Sequence, residues 1–268
     1  NNGLEITFNS RNIIGKNFQW FTTGNLSLNK NKILSLYGFL DEDGNEIDDV
    51  GNAWFIGKPI RVNYDFIWDG TWQQNEAAEA AKYGSQPGYV KLRDFDGDGL
   101  TANDRRGIGQ QDPKLLWGMT NTFSYRNFSL SVFIHGVHGA TVMNYLMNDH
   151  VQGAEVRYNT LRKNWWTTDN PTNDWIINKE LADRMSGFEG HIYEDAGYVR
   201  VKDISLSYDL AKGVLGRTGI DKIKVYVTGR NLLTFTKFTG LDPEFTDEDS
   251  QKYIPMQKEY VFGLSLGF

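Results

Sequence analysis

Three aspartates in one short segment have the spacing of an oxygen-ligand cation loop, and a fourth follows them. Asp94, Asp96 and Asp98 alternate with other residues and are followed by glycine, in the pattern D-x-D-x-D-G. Carboxylates two residues apart converge on a hard cation, glycine permits the sharp bend, and Leu100 can add its backbone carbonyl. The sequence therefore predicts a structural Ca²⁺ or Mg²⁺ site formed by Asp94, Asp96, Asp98, Leu100 and Asp104, and it requires no other cofactor.

The same segment departs from the calcium-loop pattern at its end. The twelfth position, where a bidentate carboxylate closes such a loop, holds Arg105, and Asp104 comes one residue early. A solvated acidic turn that pairs with Arg93, Arg105 or Arg106 explains the same residues without an ion. Both alternatives give the segment a structural role and no catalytic one.

A long polar stretch from residue 147 to residue 196 contains three tryptophans. They are Trp165, Trp166 and Trp175. Asp169 and Asn170 lie beside them, and exposed rings next to amides suit recognition of a sugar or a peptide, because aromatic rings offer contact area at a low entropy cost. The three tryptophans are therefore candidate substrate contacts. The alternative is that they anchor the loop as hydrophobic side chains.

The four histidines do not form a catalytic or metal-binding pattern. His135 and His138 are three residues apart with no third ligand nearby in the sequence, and His150 and His191 are single loop residues. No nucleophile-elbow, zinc-peptidase or phosphate-binding motif occurs. The sequence thus has no feature of an enzyme, and a polar or hydrogen-bonding role is expected for His135 and His138.

Bulk composition excludes several further classes. The 268 residues carry a net charge of −6, so a basic nucleic-acid footprint is not expected. The chain has no cysteine, which rules out disulfides, zinc–thiolate sites and thiol nucleophiles. No run of about 18 apolar residues occurs, so no transmembrane helix is expected. Asn1 leads directly into a strand pattern without a signal peptide, and we expect the chain to begin within a larger protein.

The last ten residues show most clearly the strand pattern that organises the chain. Successive side chains of a strand point to opposite faces. One face here consists of the large apolar side chains Tyr260, Phe262, Leu264, Leu266 and Phe268. The opposite face consists of the small residues Val261, Gly263, Ser265 and Gly267. This combination is typical of a strand with lipid on one side and a lumen on the other, although an edge strand of a soluble sandwich is an alternative.

The same alternation recurs along the chain in strands of roughly 10 to 15 residues. It includes an amino-terminal hairpin, the stretch 61–72 and a second hairpin that turns at Arg126. Eight such strands are joined alternately by short turns and by long loops. The long loops include residues 74–114, with the acidic turn, and residues 147–196, expected to be extracellular. If all short turns lie on one side of a membrane, the first and last strands run in the same direction, which requires an odd number of strands. The count of eight therefore either misses one strand within residues 37–109 or includes one strand too many there.

Five segments, in order, resemble the carboxyl-terminal end of one protein family. They are the acidic segment 94–109, the hairpin 115–136, the strand YVRVKDISLSY at 198–208, the stretch 225–244 that ends in GLDPE, and YIPM at 253–256 with the terminal aromatic strand. Together they resemble SusC/RagA-type TonB-linked outer-membrane transporters of Bacteroidetes. The sequence departs from the family pattern at two places. Asp209 and the residues after it stand where the family commonly has a proline, and the acidic loop is one residue shorter than in the family.

This resemblance implies an all-β fold, a transmembrane antiparallel β-barrel of about 22 strands closed by an amino-terminal plug. The chain, residues 1–268, would supply the last eight or nine strands. The family imports oligosaccharides or peptides across the outer membrane under a SusD-like surface lipoprotein, with energy from TonB. The implied partners are the rest of the barrel, that lipoprotein, TonB through the plug, and membrane lipid. The aromatic end at Phe268 is implied to be the signal for barrel assembly.

Two other interpretations remain open from the residues alone. A small autonomous outer-membrane barrel for adhesion or structure predicts a closed wall of eight strands, the smallest common number. A soluble carbohydrate-binding β-sandwich predicts a protein that stays monodisperse without detergent.

Overall fold

The computed structural model describes residues 1–147, 163–177, 188–210, 220–245 and 256–268. Within these ranges the chain is mostly β-structure, with thirteen strands and one short helix, α1 (Ala77–Lys82). In chain order the strands are β1 (Asn2–Ile14), β2 (Phe18–Lys30), β3 (Val62–Asp65), β4 (Trp68–Thr71), β5 (Val90–Leu92), β6 (Arg106–Gln110), β7 (Leu115–Tyr125), β8 (Phe128–His138), β9 (Thr141–Met143), β10 (Tyr193–Asp195), β11 (Tyr198–Asp209), β12 (Lys222–Thr236) and β13 (Glu259–Gly267).

The seven long strands form one sheet in the order β1-β2-β7-β8-β11-β12-β13. Every neighbouring pair in it is antiparallel. The tight turns after Ile14 and after Tyr125 lie at the same end of this sheet, which we call the turn end. The long connections that follow Lys30 and His138 lie at the opposite end, which we call the loop end. Short turns at one end and long loops at the other were predicted from the sequence.

One face of the sheet is apolar across all seven strands, and we call it the outer face. Cross-strand register aligns Leu26 with Ile6 and with Trp117, and it aligns Val227 with Phe262. Many of these side chains are exposed, with Phe262 at 79% and Leu4 at 52%. Water disfavours such a continuous apolar surface, which marks it as a surface for contact with lipid or protein.

A polar cluster interrupts the outer face between β2 and β7. Thr22 Oγ1 donates to Asn121 Oδ1 at 2.7 Å, and Trp20 Nε1 donates to the same oxygen at 3.0 Å. Asn12 Nδ2 donates to Thr22 Oγ1. Polar groups on an apolar surface are costly unless they bond to one another, and these groups do.

The opposite, inner face carries mostly small and polar side chains. Asp203, Arg230 and Glu259 are register partners on three adjacent strands, and Arg230 pairs with both carboxylates, at 3.3 and 3.0 Å. The ring of Tyr226 lies across Gly263, where a Cβ would collide with it. The small residues of the last strand therefore leave room for large side chains of its neighbour.

The structure corrects the predicted strand at residues 61–72. That stretch forms two four-residue strands, β3 and β4, which pair with β6 and β5 outside the main sheet. Phe66 and Ile67 lie between the two strands, where the chain bends. The alternation of side chains continues through this bend, and for that reason it predicted one continuous strand. The main sheet has seven strands in the described residues, not eight or nine. Seven is an odd number, as the positions of the turns required.

The remaining elements form a loop layer at the loop end of the sheet. One hydrophobic cluster there contains Val90, Trp175, Ile176 and Ile192, and a second contains Ala140, Val142, Ala196 and Phe238. The long loops are therefore packed and ordered where the structure describes them. No helix among the described residues is long and apolar enough to cross a membrane.

Candidate functional site

A buried arginine at the loop end of β11 holds the loop that follows β12. Arg200 is 1% exposed, and its Nη2 donates to both carboxylate oxygens of Asp242, each at 2.8 Å. Its Nε donates to Thr234 Oγ1 at 2.8 Å, and its Nη1 lies 2.9 Å from Glu244 Oε2. Two carboxylates thus compensate the guanidinium, as a buried charge requires.

Glu244 is the second carboxylate of this network. Tyr198 Oη donates to its Oε1 at 3.0 Å, while Lys202 Nζ and His135 Nε2 each lie 3.4 Å from the carboxylate. Burial raises the pKa of Glu244, but Arg200, Tyr198 and Lys202 outweigh that effect and hold the pKa below its ordinary value. Glu244 is therefore an anion at neutral pH.

Sequence reasoning did not identify this network. The segment GLDPE that contains Asp242 and Glu244 contributed only to the family resemblance. A signal was present in Arg200, a charged residue between two valines in an alternating strand. His135 Nε2 lies near Glu244 but makes no hydrogen bond among the described residues, whereas His138 accepts a hydrogen bond from Trp117 Nε1 at 3.2 Å. His150 lies outside the described residues.

The predicted cation loop is a compact turn. Carboxylate oxygens of Asp94, Asp96, Asp98 and Asp104 all lie within 4.8 Å of one another. Gly97 and Gly99 have φ angles of +80° and +99°, which glycine adopts without strain, and their N–H groups donate to Asp94 at 2.7 and 3.0 Å. These four carboxylates could bind a metal ion.

Asp104 closes this turn from within. It is fully buried, and its two oxygens accept the backbone N–H groups of Phe95 and Thr101 at 2.8 and 2.9 Å. Each oxygen keeps a second lone pair. Asp104 stands one residue before the position at which a calcium loop ends in a carboxylate. From this position its side chain reaches back to both ends of the turn, which gives its placement a structural cause.

The pKa values of Asp94 and Asp98 are shifted in opposite directions. The N–H of Gly97 and further backbone donors hold the pKa of Asp94 below its ordinary value, against the effect of burial. The pKa of Asp98 is raised by its hydrogen bond with Asp96, by burial and by the charges of the neighbouring carboxylates. A bound cation would relieve that repulsion, which is the chemistry expected of a cation site.

The three loop tryptophans are less accessible than a substrate-contact role predicts. Trp166 and Trp175 are buried at 3% and 5% exposure. Trp166 Nε1 donates to Gln73 Oε1 at 3.0 Å, and Trp165 meets Trp175 edge to face at 6.3 Å. This burial favours the alternative that Trp166 and Trp175 are hydrophobic anchors, and substrate contact by the three tryptophans stays a prediction. Trp165 is partly exposed.

The same cluster contains a histidine that the sequence left without a role. The ring of His191 stacks on Trp68 at 4.1 Å and lies 5.0 Å from the ring of Trp175. Its Nε2 is 3.0 Å from the carbonyl oxygen of Asp174. Burial lowers the pKa of His191, which favours the neutral ring at neutral pH.

The apolar residues of the last strand lie on the outer face, as predicted. Tyr260, Phe262 and Leu264 are all more than 60% exposed, and Phe268 is 83% exposed. They continue the outer face of β12 to the edge of the sheet. Several other predictions fall outside the described residues. These are the motif at 253–255 and two parts of the predicted long loop 147–196, namely residues 148–162 and 178–187.

An antiparallel sheet with an apolar outer face, a polar inner face and long loops at one end has the construction of an outer-membrane barrel wall. TonB-dependent receptor P3 of Formosa agariphila is 31% identical over the whole chain, and receptor P26 of that organism is 33% identical over 91% of it. TonB-dependent receptor SusC of Bacteroides thetaiotaomicron is 25% identical over the whole chain. The chain is therefore homologous to part of the SusC/RagA-type TonB-dependent receptors, which are outer-membrane β-barrel proteins.

The chain spans only about a quarter to three tenths of these relatives, 28% of P3, 25% of P26 and 26% of SusC. The fold agrees with the RagAB peptide transporter, with a TM-score of 0.74 at 22% identity over 99% of this chain and 29% of the other. The "closed-closed" state of the RagAB peptide importer gives a TM-score of 0.72. No protein-family model matches the chain.

Proposed function

We propose that this chain forms part of the wall of an outer-membrane TonB-dependent transporter that imports nutrients, either oligosaccharides or peptides. The observation that carries the proposal is the two-faced seven-stranded sheet, apolar outside and polar inside, in a chain homologous to such receptors over its full length. The similarity to RagAB, described as a peptide transporter, supports import of peptides. The role is passage of a substrate through a lumen, not catalysis.

In this proposal the chain supplies the carboxyl-terminal part of a barrel of about 22 strands. The outer face contacts lipid, and the inner face lines the lumen. The open edges at β1 and β13 pair with strands from the rest of the receptor, because exposed strand edges otherwise promote aggregation. The exposed aromatic face of β13 that ends at Phe268 is proposed as the signal for barrel assembly.

The loop end faces the outside of the cell in this arrangement. A SusD-like surface lipoprotein would cover it, and TonB would act through a plug that enters the lumen from elsewhere in the receptor. Ordered loops support this orientation, since Arg200 and the two hydrophobic clusters hold the loop layer against the end of the sheet. Trp165 is the loop tryptophan best placed to contact substrate.

The acidic turn is proposed as a structural cation site. Asp94, Asp96 and Asp98 offer carboxylate oxygens, Asp104 offers its remaining lone pairs, and Leu100 would add its carbonyl. Four carboxylates within 4.8 Å favour Ca²⁺ over Mg²⁺, because Ca²⁺ accepts irregular carboxylate geometry whereas Mg²⁺ demands an octahedron. The ion would stiffen the segment between β5 and β6.

The first test is the intact mass of the polypeptide purified from native outer membrane in detergent and measured under denaturing conditions. The transporter proposal expects roughly 110 kDa, since the 30.6 kDa of this chain is 28% of that mass. A mass near 30.6 kDa with no second chain carrying a plug would contradict it in favour of a small autonomous barrel.

The second test is uptake in the native host. Deletion of the receptor gene is expected to abolish growth on one class of oligosaccharide or peptide, and the intact gene should restore it. Growth that is unchanged on every nutrient tested would contradict the transport role. A receptor that remains monodisperse without detergent would support the soluble sandwich instead.

A further inference from the structure

A cavity of about 330 Å³ lies between the inner face of the sheet and the loop layer. Its floor is formed where Leu116, Val137 and Tyr198 are register partners on β7, β8 and β11. Its sides come from loop segments that are far apart in sequence. The cavity therefore opens on the polar side of the wall, at the end where the long loops gather.

Aromatic and small apolar side chains form part of the lining. Tyr145, Tyr193 and Tyr198 contribute three tyrosine rings, and Ala140, Val142 and Ala196 contribute a small apolar surface. Rings and small apolar groups provide flat contact area, and the amide side chains of Asn63 and Gln111 make part of the lining polar. A volume near the lower end of ligand pockets suits one ring or one side chain, not a whole oligomer.

The charged groups around this cavity are already paired within the protein. Arg61 Nη1 contacts Asp112 Oδ1 at 2.9 Å, and the Nε and Nη2 of Arg61 donate to Gln111 at 3.1 and 2.8 Å. Glu244 is compensated by Arg200, 2.9 Å away. A charged ligand group would lose hydration here and gain no uncompensated partner, which disfavours it.

We propose that this cavity binds one neutral, polar, ring- or side-chain-sized group of the transported molecule. A neutral sugar ring and an uncharged amino-acid side chain share that chemistry. The inference rests on the proposed transport function and refines it. In this refinement the cavity makes the wall discriminate against charged groups of the substrate near the loop end.

Binding measurements on the whole receptor in detergent test the charge preference. The probes are α-1,4-linked galactotriose against trigalacturonate, and N-acetyl-Ala-Gln-Ala-amide against N-acetyl-Ala-Glu-Ala-amide. The expected result is that the neutral member of one pair binds at least about tenfold tighter than its acidic match, and the pair that responds identifies the chemistry. Equal or tighter binding of both acidic members, or binding of no probe, would overturn the inference.

An Asp112→Asn variant tests the electrostatic cause. Removing this carboxylate leaves Arg61 uncompensated, so the acidic probe should gain affinity and the tenfold preference should narrow to about twofold or less. Glu79→Gln is the matched control, because it makes the same chemical change in the Lys82–Glu79 pair on the exposed helix α1, away from the cavity. An unchanged preference in Asp112→Asn, or an equal change in the control, would contradict the proposal.

A Leu116→Trp variant tests occupancy. Leu116 lines the cavity at 44% exposure, so a larger ring there should fill the space and reduce binding of the neutral probe at least about tenfold. Leu206→Trp is the control, since Leu206 has 43% exposure on the outer face. If Leu116→Trp binds and transports normally while deletion of the receptor abolishes uptake, only the cavity inference fails. If deletion leaves uptake intact, the transport function itself fails.

Discussion

Arg200 and Asp242 are 42 residues apart in the chain, and both are buried where the guanidinium meets the carboxylate at 2.8 Å. The contact joins an inward-facing position of β11 to the loop that follows β12. Because Arg200 also bonds to Thr234 and contacts Glu244, the arginine fixes the path of that loop over the inner face. Arg200 thus holds the first residues of the loop after β12 against the sheet.

Replacing Asp242 with alanine should strongly destabilise this region. The change leaves Arg200 buried with one of its two carboxylates missing, and breaking a buried pair in this way costs about 3–5 kcal/mol. The measurement is hydrogen exchange of residues 237–245 in the detergent-solubilised receptor, with protease sensitivity as a second reading. The exposed pair Lys82–Glu79 is the control, where Glu79→Gln should change stability by less than about 0.5 kcal/mol. Protection that is equal in both variants would refute the anchoring role.

Replacing Gly88 with alanine should loosen the tryptophan cluster. A Cβ at Gly88 would lie 2.7 Å from Trp166 and 3.0 Å from Ile177, and the φ angle of +88° adds backbone strain. Gly84→Ala is a matched control, since Gly84 has a φ of +63° with nothing within 4 Å of the new atom. We expect Gly88→Ala to cost about 1–3 kcal/mol more than the control, measured by tryptophan fluorescence during denaturation. Equal costs would mean that Trp166 does not pack tightly there.

Acidification should weaken the same cluster through His191. Burial holds the folded-state pKa of this histidine below its unfolded value of about 6.5, so the unfolded segment takes up a proton more readily. The stabilising contribution is therefore complete above about pH 6.5 and is lost as the pH falls below it. Hydrogen exchange of residues 188–195 between pH 7.5 and 5 measures this change. His191→Gln should remove the pH dependence, and a variant that keeps it would place the titrating group elsewhere.

Calcium should stabilise the acidic turn. At a concentration one hundred times the dissociation constant, a site that forms only in the folded state adds about 2.7 kcal/mol. Calorimetry and thermal unfolding with Ca²⁺ and with chelator measure it, and Asp98→Asn should weaken binding by removing one carboxylate. Glu42→Gln is the control, because Glu42 lies in a different acidic loop. An identical isotherm for wild type and Asp98→Asn would exclude the proposed ligand set.

The sheet was largely predictable because its residues obey a local rule. Alternation placed Phe262 and Leu264 on one face and Gly263 on the other without knowledge of neighbouring strands. The same rule failed at residues 61–72, where alternation is continuous but the chain bends at Phe66 and pairs with two separate partners. Periodicity describes the side chains of one segment, whereas strand length depends on which partners tertiary structure supplies.

The candidate sites divide in the same way. The acidic turn was found because its four aspartates lie within eleven consecutive residues. The Arg200 network was missed because Thr234, Asp242 and Glu244 are each more than thirty residues from Arg200 in the sequence. The antiparallel pairing of β11 with β12 brings this part of the chain next to Arg200. The burial of Trp166 also depends on distant residues, since Gln73 and Gly88 approach it from another loop.

The odd number of long strands in the described part of the chain has a topological consequence. With every neighbour antiparallel, the two edge strands β1 and β13 point the same way, so rolling this sheet into a cylinder on its own would join them as a parallel seam. A wall that is antiparallel all round needs an odd number of additional strands between those edges. If the sheet is closed into such a wall, as proposed, the polypeptide that completes it would enter at one rim and leave at the other.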